Sequence, residues 1–166
     1  MNTGTLIVHR PAWLVRLWRA SIWPPGAVPA YEGETSAELK RGFLPLFDLI
    51  LIIMGGMAVH KGMPSFDIVY NDTISTFAAW TLLVGAVVAA FGLVFPRFWR
   101  MEAIGKIILF AILSGYAVAL WALVSVGGDG RGFVAGAVTA LALLVGFNLL
   151  RIGRERRAGT SGKGKK

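Results

Sequence analysis

Four long apolar stretches dominate this sequence, and a water-soluble fold of this length could not bury them all. They cover about residues 43–59, 74–95, 103–126 and 133–150. Crossing a hydrocarbon core takes roughly 17–25 helical residues, so each stretch is of spanning length. Only 16% of the residues are charged and 55% are hydrophobic, too little charge to cover a surface facing water. The stretches show no period-2 alternation, which argues against a membrane β-barrel. Helices satisfy every backbone polar group within each crossing. The predicted fold is all-α: an integral membrane four-helix bundle occupying residues 41–151. The first stretch contains Pro45, Asp48, Gly55 and Gly56, so a re-entrant or interfacial helix is its alternative. Pro45 falls in a first turn, where it breaks no helical hydrogen bond, and a full crossing is preferred.

Basic residues orient the bundle. Arg10, Arg16, Arg19, Lys40 and Arg41 precede the first span. Arg97 and Arg100 lie between the second and third, and Arg151, Arg154, Arg156, Arg157, Lys163, Lys165 and Lys166 follow the fourth. The other two loops are balanced: Lys61 against Asp67 and Asp72, and Arg131 against Asp129. Both termini are therefore expected in the cytoplasm, with the chain in the cytoplasmic membrane.

Residues 1–40 read as a cytoplasmic segment without a cleavable signal peptide, since arginines interrupt any continuous apolar run. Trp13, Leu14, Leu17, Trp18 and Ile22 recur at helical intervals. That pattern predicts an amphipathic N-terminal helix, lying either among anionic headgroups or against the bundle or a partner protein. A polar linker over 30–40 leads to the first span. Residues 152–166 are rich in Gly, Lys and Arg and predict a basic, disordered cytoplasmic tail. Beside a membrane span, such a tail favours topology and anionic lipid over nucleic acid.

Ionisable groups inside a span cost at least ~2.5 kcal/mol at its centre and mark candidate functional sites. Asp48 and Lys106 each lie roughly 5–8 Å inside the cytoplasmic edge. Glu102 is one helical turn before Lys106, and Asn148 reaches the same depth from the fourth span. These four predict an intramembrane polar layer, with Asp48 and Lys106 as an ion pair. Three roles fit it: a packing layer from which Lys106 snorkels to the headgroups, a proton- or ion-coupled step, and a polar lining exposed on assembly.

Small residues supply candidate helix-packing positions. They are Gly55 and Gly56 in the first span, Gly85 and Gly92 in the second, Ala111 and Gly115 in the third, and Gly132 and Gly136 at the fourth. Their spacing suits contacts within one chain or between copies. Trp13, Trp18, Trp80, Trp99 and Trp121 sit where interfacial anchors belong. Asn71-Asp72-Thr73 fits an N-glycosylation triplet, and the glycine-rich run 127–132 reads as a tight turn.

The chain has no cysteine and two separated histidines, His9 and His60. It carries no nucleophile–base set and no metal-ligand spacing. Neither an enzyme nor a metal or other cofactor is expected.

Three stretches carry a resemblance: Pro64-Ser65-Phe66-Asp67, the run from Phe95-Pro96-Arg97-Phe98-Trp99-Arg100 to Lys106, and Ile152-Gly153-Arg154-Glu155-Arg156-Arg157. Across about residues 40–157, the chain resembles small four-span membrane proteins of actinobacterial phages, several of them holin-like. The resemblance implies homo-oligomerisation in the host cytoplasmic membrane and a timed lesion that releases a cell-wall hydrolase (endolysin). The N-terminal segment of ~40 residues departs from a minimal holin. The competing class is a non-enzymatic scaffold or accessory subunit that recruits a cytoplasmic protein partner, and a third is a small transporter or channel using Asp48.

Overall fold

The computed structural model describes residues 12–24, 34–63, 66–127 and 131–161. Gly128-Asp129-Gly130 in the expected turn, and Lys163, Lys165 and Lys166 of the expected tail, lie outside the described residues. Among the described residues every regular element is helical: α1 (Ala12–Ala20), α2 (Glu34–Arg41), α3 (Phe43–Lys61), α4 (Phe66–Val69), α5 (Asp72–Val94), α6 (Trp99–Ser125) and α7 (Gly132–Ser161). A 3-10 turn, Pro96–Phe98, joins α5 to α6. Four helices are long and apolar enough to cross a membrane, which marks an integral membrane protein.

Successive spans pack side by side: α3 on α5, α5 on α6, and α6 on α7. The first and fourth make no extended backbone contact of this kind among the described residues. Their buried side chains belong to one continuous core, which includes Leu51, Ala86, Leu109, Leu113 and Val145. Helix α5 is the central element, with 44% of its span buried against 28–33% for the other three. The remaining surface of the spans is largely apolar, as a lipid-facing flank must be.

Sequence chemistry explains the limits of these helices. Asn71 begins α5 as its N-cap, its Oδ1 accepting from the Ile74 N–H at 2.9 Å. A side-chain acceptor at that position satisfies one otherwise orphaned amide, so the Asn71-Asp72-Thr73 triplet has a structural use. Gly62 and Gly127 follow α3 and α6 with φ of 80° and 95°, a backbone region that costs glycine little.

Three boundaries differ from those read in the sequence. The polar linker expected over 30–40 forms helix α2 from Glu34, where Lys40 and Arg41 complement its C-terminal dipole. The tail expected to be disordered from 152 remains part of α7 as far as Ser161. Arg151 pairs with Glu155 one turn on at 3.2 Å, and such pairs support a helix beyond its buried stretch. Helix α1 stops at Ala20, so Ile22 is not on its apolar stripe. Instead Ile22 is only 2% exposed and donates its backbone N–H to Val94 O at 3.1 Å. Arg41 holds the same segment, donating to the carbonyls of Ile22 and Pro24, each at 3.3 Å. These contacts fix the end of α1 beside the α5–α6 corner.

Candidate functional site: a buried charge ladder

The buried ionisable side chains of the spans, with Asn148, gather at one end of the bundle, the end bearing both α2 and the α5–α6 corner. Asp48 enters from α3, Glu102 and Lys106 from α6, and Asn148 from α7; all four are buried. Spacing on α6 explains part of this convergence, since Glu102 and Lys106 are one turn apart and share a face. Lys106 is 1% exposed, and its Nζ lies 3.5 Å from Asp48 Oδ1 and 3.7 Å from Glu102 Oε1. The ammonium thus turns into the bundle, not outward to headgroups as snorkelling would require. A buried lysine needs a counter-charge more than it needs reach, and here it has two.

The cluster extends further than the four residues read from the sequence. Arg151 Nη2 lies 3.8 Å from Glu102 Oε1, and its Nη1 lies 3.2 Å from Glu155 Oε1. Arg151 Nε donates to Asn148 Oδ1 at 3.1 Å, which aims the guanidinium. Lys40 Nζ closes the outer end on Glu155 Oε2 at 2.8 Å. The order is Lys40, Glu155, Arg151, Glu102, Lys106, Asp48: three cations alternating with three carboxylates, rising from the bundle end into its interior. Sequence reading missed Lys40, Arg151 and Glu155 because each lies outside the apolar windows. The i, i+3 and i, i+4 spacing of Asn148, Arg151 and Glu155 was the available signal.

The inner half of the ladder is loosely made. Charge-assisted hydrogen bonds run at about 2.7–2.9 Å, whereas its three inner ion pairs span 3.5–3.8 Å. Asp48 Oδ2, Glu102 Oε1 and Arg151 Nη2 are buried without a hydrogen-bond partner. Buried polar atoms left this way are costly, and the inner ladder balances two cations, Lys106 and Arg151, against two carboxylates, Asp48 and Glu102. Among the described residues, no group of three or more His, Cys, Asp or Glu side chains is placed to hold a metal ion.

The small residues fall into two sets. A Cβ on Gly55 would lie 2.7 Å from the Leu83 Cα, and one on Gly92 would collide with the Glu102 backbone. At Gly85 it would sit 3.1 Å from the Ile108 side chain. These three serve contacts within the chain. By contrast, Gly56, Gly115, Gly132 and Gly136 have nothing within 4 Å of such a Cβ, and Ala111 is exposed. Two further close contacts come from glycines outside the expected set: Gly105 against Ala89 and Gly146 against Phe110.

The tryptophans are largely exposed. Trp13 and Trp18 project from α1, with Trp18 stacked on Trp23 at 6.3 Å. Trp80 and Trp121 lie on the flanks of α5 and α6, and Trp121 Nε1 donates to Thr139 Oγ1 at 3.0 Å. Trp99 opens α6 with the Arg100 guanidinium 5.7 Å from its ring centre. Comparison with protein-family models, curated proteins and solved structures finds no match for the chain.

Proposed function

We propose that the chain is a holin-like membrane protein that self-associates in the cytoplasmic membrane and permeabilises it, releasing a cell-wall hydrolase. In this reading both termini and the charge ladder face the cytoplasm, as the clustering of Arg and Lys at that end favours. Helix α1 then lies among anionic headgroups, its exposed Trp13, Leu17 and Trp18 entering the interface while Arg16 and Arg19 meet phosphates. The release of a hydrolase rests on the resemblance to phage proteins.

One observation carries the assembly step. A Cβ at Gly115, Gly132 or Gly136 would meet nothing within 4 Å, whereas one at Gly55, Gly85, Gly92 or Gly105 would press on a neighbouring helix. In lipid, close approach of small-residue faces is a principal source of helix association. On assembly, parting of the loosely paired inner ladder would expose a polar lining to water.

Controlled expression tests this reading. Growth should stop abruptly after a delay, membrane potential should collapse, and a co-expressed wall hydrolase should reach the wall. Gradual toxicity without hydrolase release would contradict it. Gly136→Leu should abolish the abrupt arrest while leaving the protomer as stable as before, since position 136 opens on empty space. Equal arrest by the variant would remove α7 from the assembly face. A cytoplasmic scaffold is the second reading, favoured by the exposure of α1 and the continuation of α7 to Ser161. Unlike the first, it predicts no hydrolase release.

A further inference from the structure

At the opposite end of the bundle from the ladder, α3, α5 and α6 enclose an apolar crevice of about 260 Å³. Its floor is Met63, Leu82 and Leu113, all buried, while the exposed Met57 and Lys61 form part of its rim. Met54, Met57, Ala58 and Lys61 follow one another along a single face of α3, so the crevice runs lengthwise for roughly 10 Å. It holds three of the chain's five methionines. Methionine side chains are flexible and polarizable and mould to varied apolar shapes, which suits a long, mobile hydrocarbon better than a rigid ligand.

Lys61 gives that hydrocarbon an anionic end. It stands at the last residue of α3, and no ion pair or hydrogen bond engages it among the described residues. Ala58 and Gly62 are walls shared with a second cavity of about 150 Å³, lined in part by Asp72, Ser75 and Thr76. That neighbour offers oxygen acceptors across Ala58 and Gly62 from the crevice. We infer that this end of the bundle is a binding site for a phosphatidylglycerol-type phospholipid. One acyl chain fills the methionine crevice, the phosphate meets Lys61, and the glycerol hydroxyls turn toward Asp72. The orientation proposed above decides only which leaflet supplies the lipid.

The full-length chain, reconstituted in phosphatidylcholine vesicles, can be photolabelled with a trace of phosphatidylglycerol bearing a diazirine on one acyl chain. Mapped by peptide mass spectrometry, the label should concentrate on Met54, Met57 and Met63 over the lipid-facing Leu49, Ile50 and Ile53. Lys61→Gln should weaken it about five-fold, the equivalent of one surface cation's attraction for anionic lipid. Ala58→Phe should exclude the chain altogether. Should that variant fail to fold, the exposed Lys61→Gln substitution still decides the matter. Even labelling along α3, or crevice labelling indifferent to Lys61→Gln, would overturn the site. Vesicle labelling does not require lysis, so absence of hydrolase release in cells would leave this result standing.

Discussion

Replacing Lys106 with Met should cost about 3–5 kcal/mol of stability, the usual penalty for removing one partner from a buried ion pair. The physical reason lies in its position between two carboxylates. With Lys106 gone, Asp48 loses a partner 3.5 Å away and Glu102 one 3.7 Å away. Glu102 keeps Arg151 at 3.8 Å, but Asp48 has no other ion-pair partner among the described residues. Asp48→Asn should be milder, about 1–3 kcal/mol, because Lys106 retains Glu102. In the double variant the Asp48–Lys106 interaction is removed at both ends, so its cost should fall short of the summed singles by at least about 1 kcal/mol. Reversible unfolding in mixed micelles measures all three differences. Strict additivity would mean that the two side chains do not interact.

The second large effect concerns the α5–α6 contact. A Cβ at Gly105 would sit 2.6 Å from the Ala89 amide nitrogen and 2.8 Å from the Gly85 carbonyl oxygen. At Gly92 it would overlap the Glu102 backbone. These obstacles are main-chain atoms of a neighbouring helix and cannot rotate aside. Gly105→Val and Gly92→Val should each cost about 3 kcal/mol, the upper end of ordinary overpacking. They should also pry α5 from α6 and disturb the ladder, since Glu102 stands where Gly92 makes its contact. Gly56→Ala is the control: its Cβ meets nothing within 4 Å, and it should cost no stability, since alanine is the better helix former. The same micelle unfolding reads both, and comparable losses at positions 56 and 105 would refute the packing scheme.

Much of this architecture was legible because lipid imposes a simple rule on composition. The four spans announce themselves by length, and Asp48, Glu102, Lys106 and Asn148 by being polar where polarity is costly. The same rule hid the rest of the ladder. Lys40, Arg151 and Glu155 sit where charge is unremarkable, and only the fold turns them inward. Helix packing was half legible for a related reason. Gly85 and Gly92 are conspicuous in an apolar run, but burial follows a longer stripe on α5 that includes Ala78, Ala79, Leu82, Ala86 and Ala89. Alanine is so common in such helices that spacing alone does not separate a packed face from a lipid-facing one. Ala111 and Gly115 have that spacing too, yet Ala111 is exposed and Gly115 opens on empty space. At the two ends, water-facing composition suggested coil at 34–40 and 152–161, where local ion pairs and continuity with spans sustain helix.

The position of the ladder weighs among the functional readings. A neutral cluster confined to one end, with no second ionisable layer among the described residues of the mid-span, suits a latch or latent lining better than a route across the membrane. Transporters place their ligating groups near the midplane, typically at breaks in helices, and α5 and α6 run unbroken for 23 and 27 residues.

Labelling of single cysteines in intact cells is the most direct trial of the membrane arrangement, and the natural chain contains no cysteine to interfere. Expressed below the level that arrests growth, Thr73→Cys and Val126→Cys should react with a membrane-impermeant maleimide from outside. Arg97→Cys and Gly153→Cys should react only after the membrane is opened. External labelling at 97 or 153, or opposite behaviour at 73 and 126, would contradict four crossings with both ends inside.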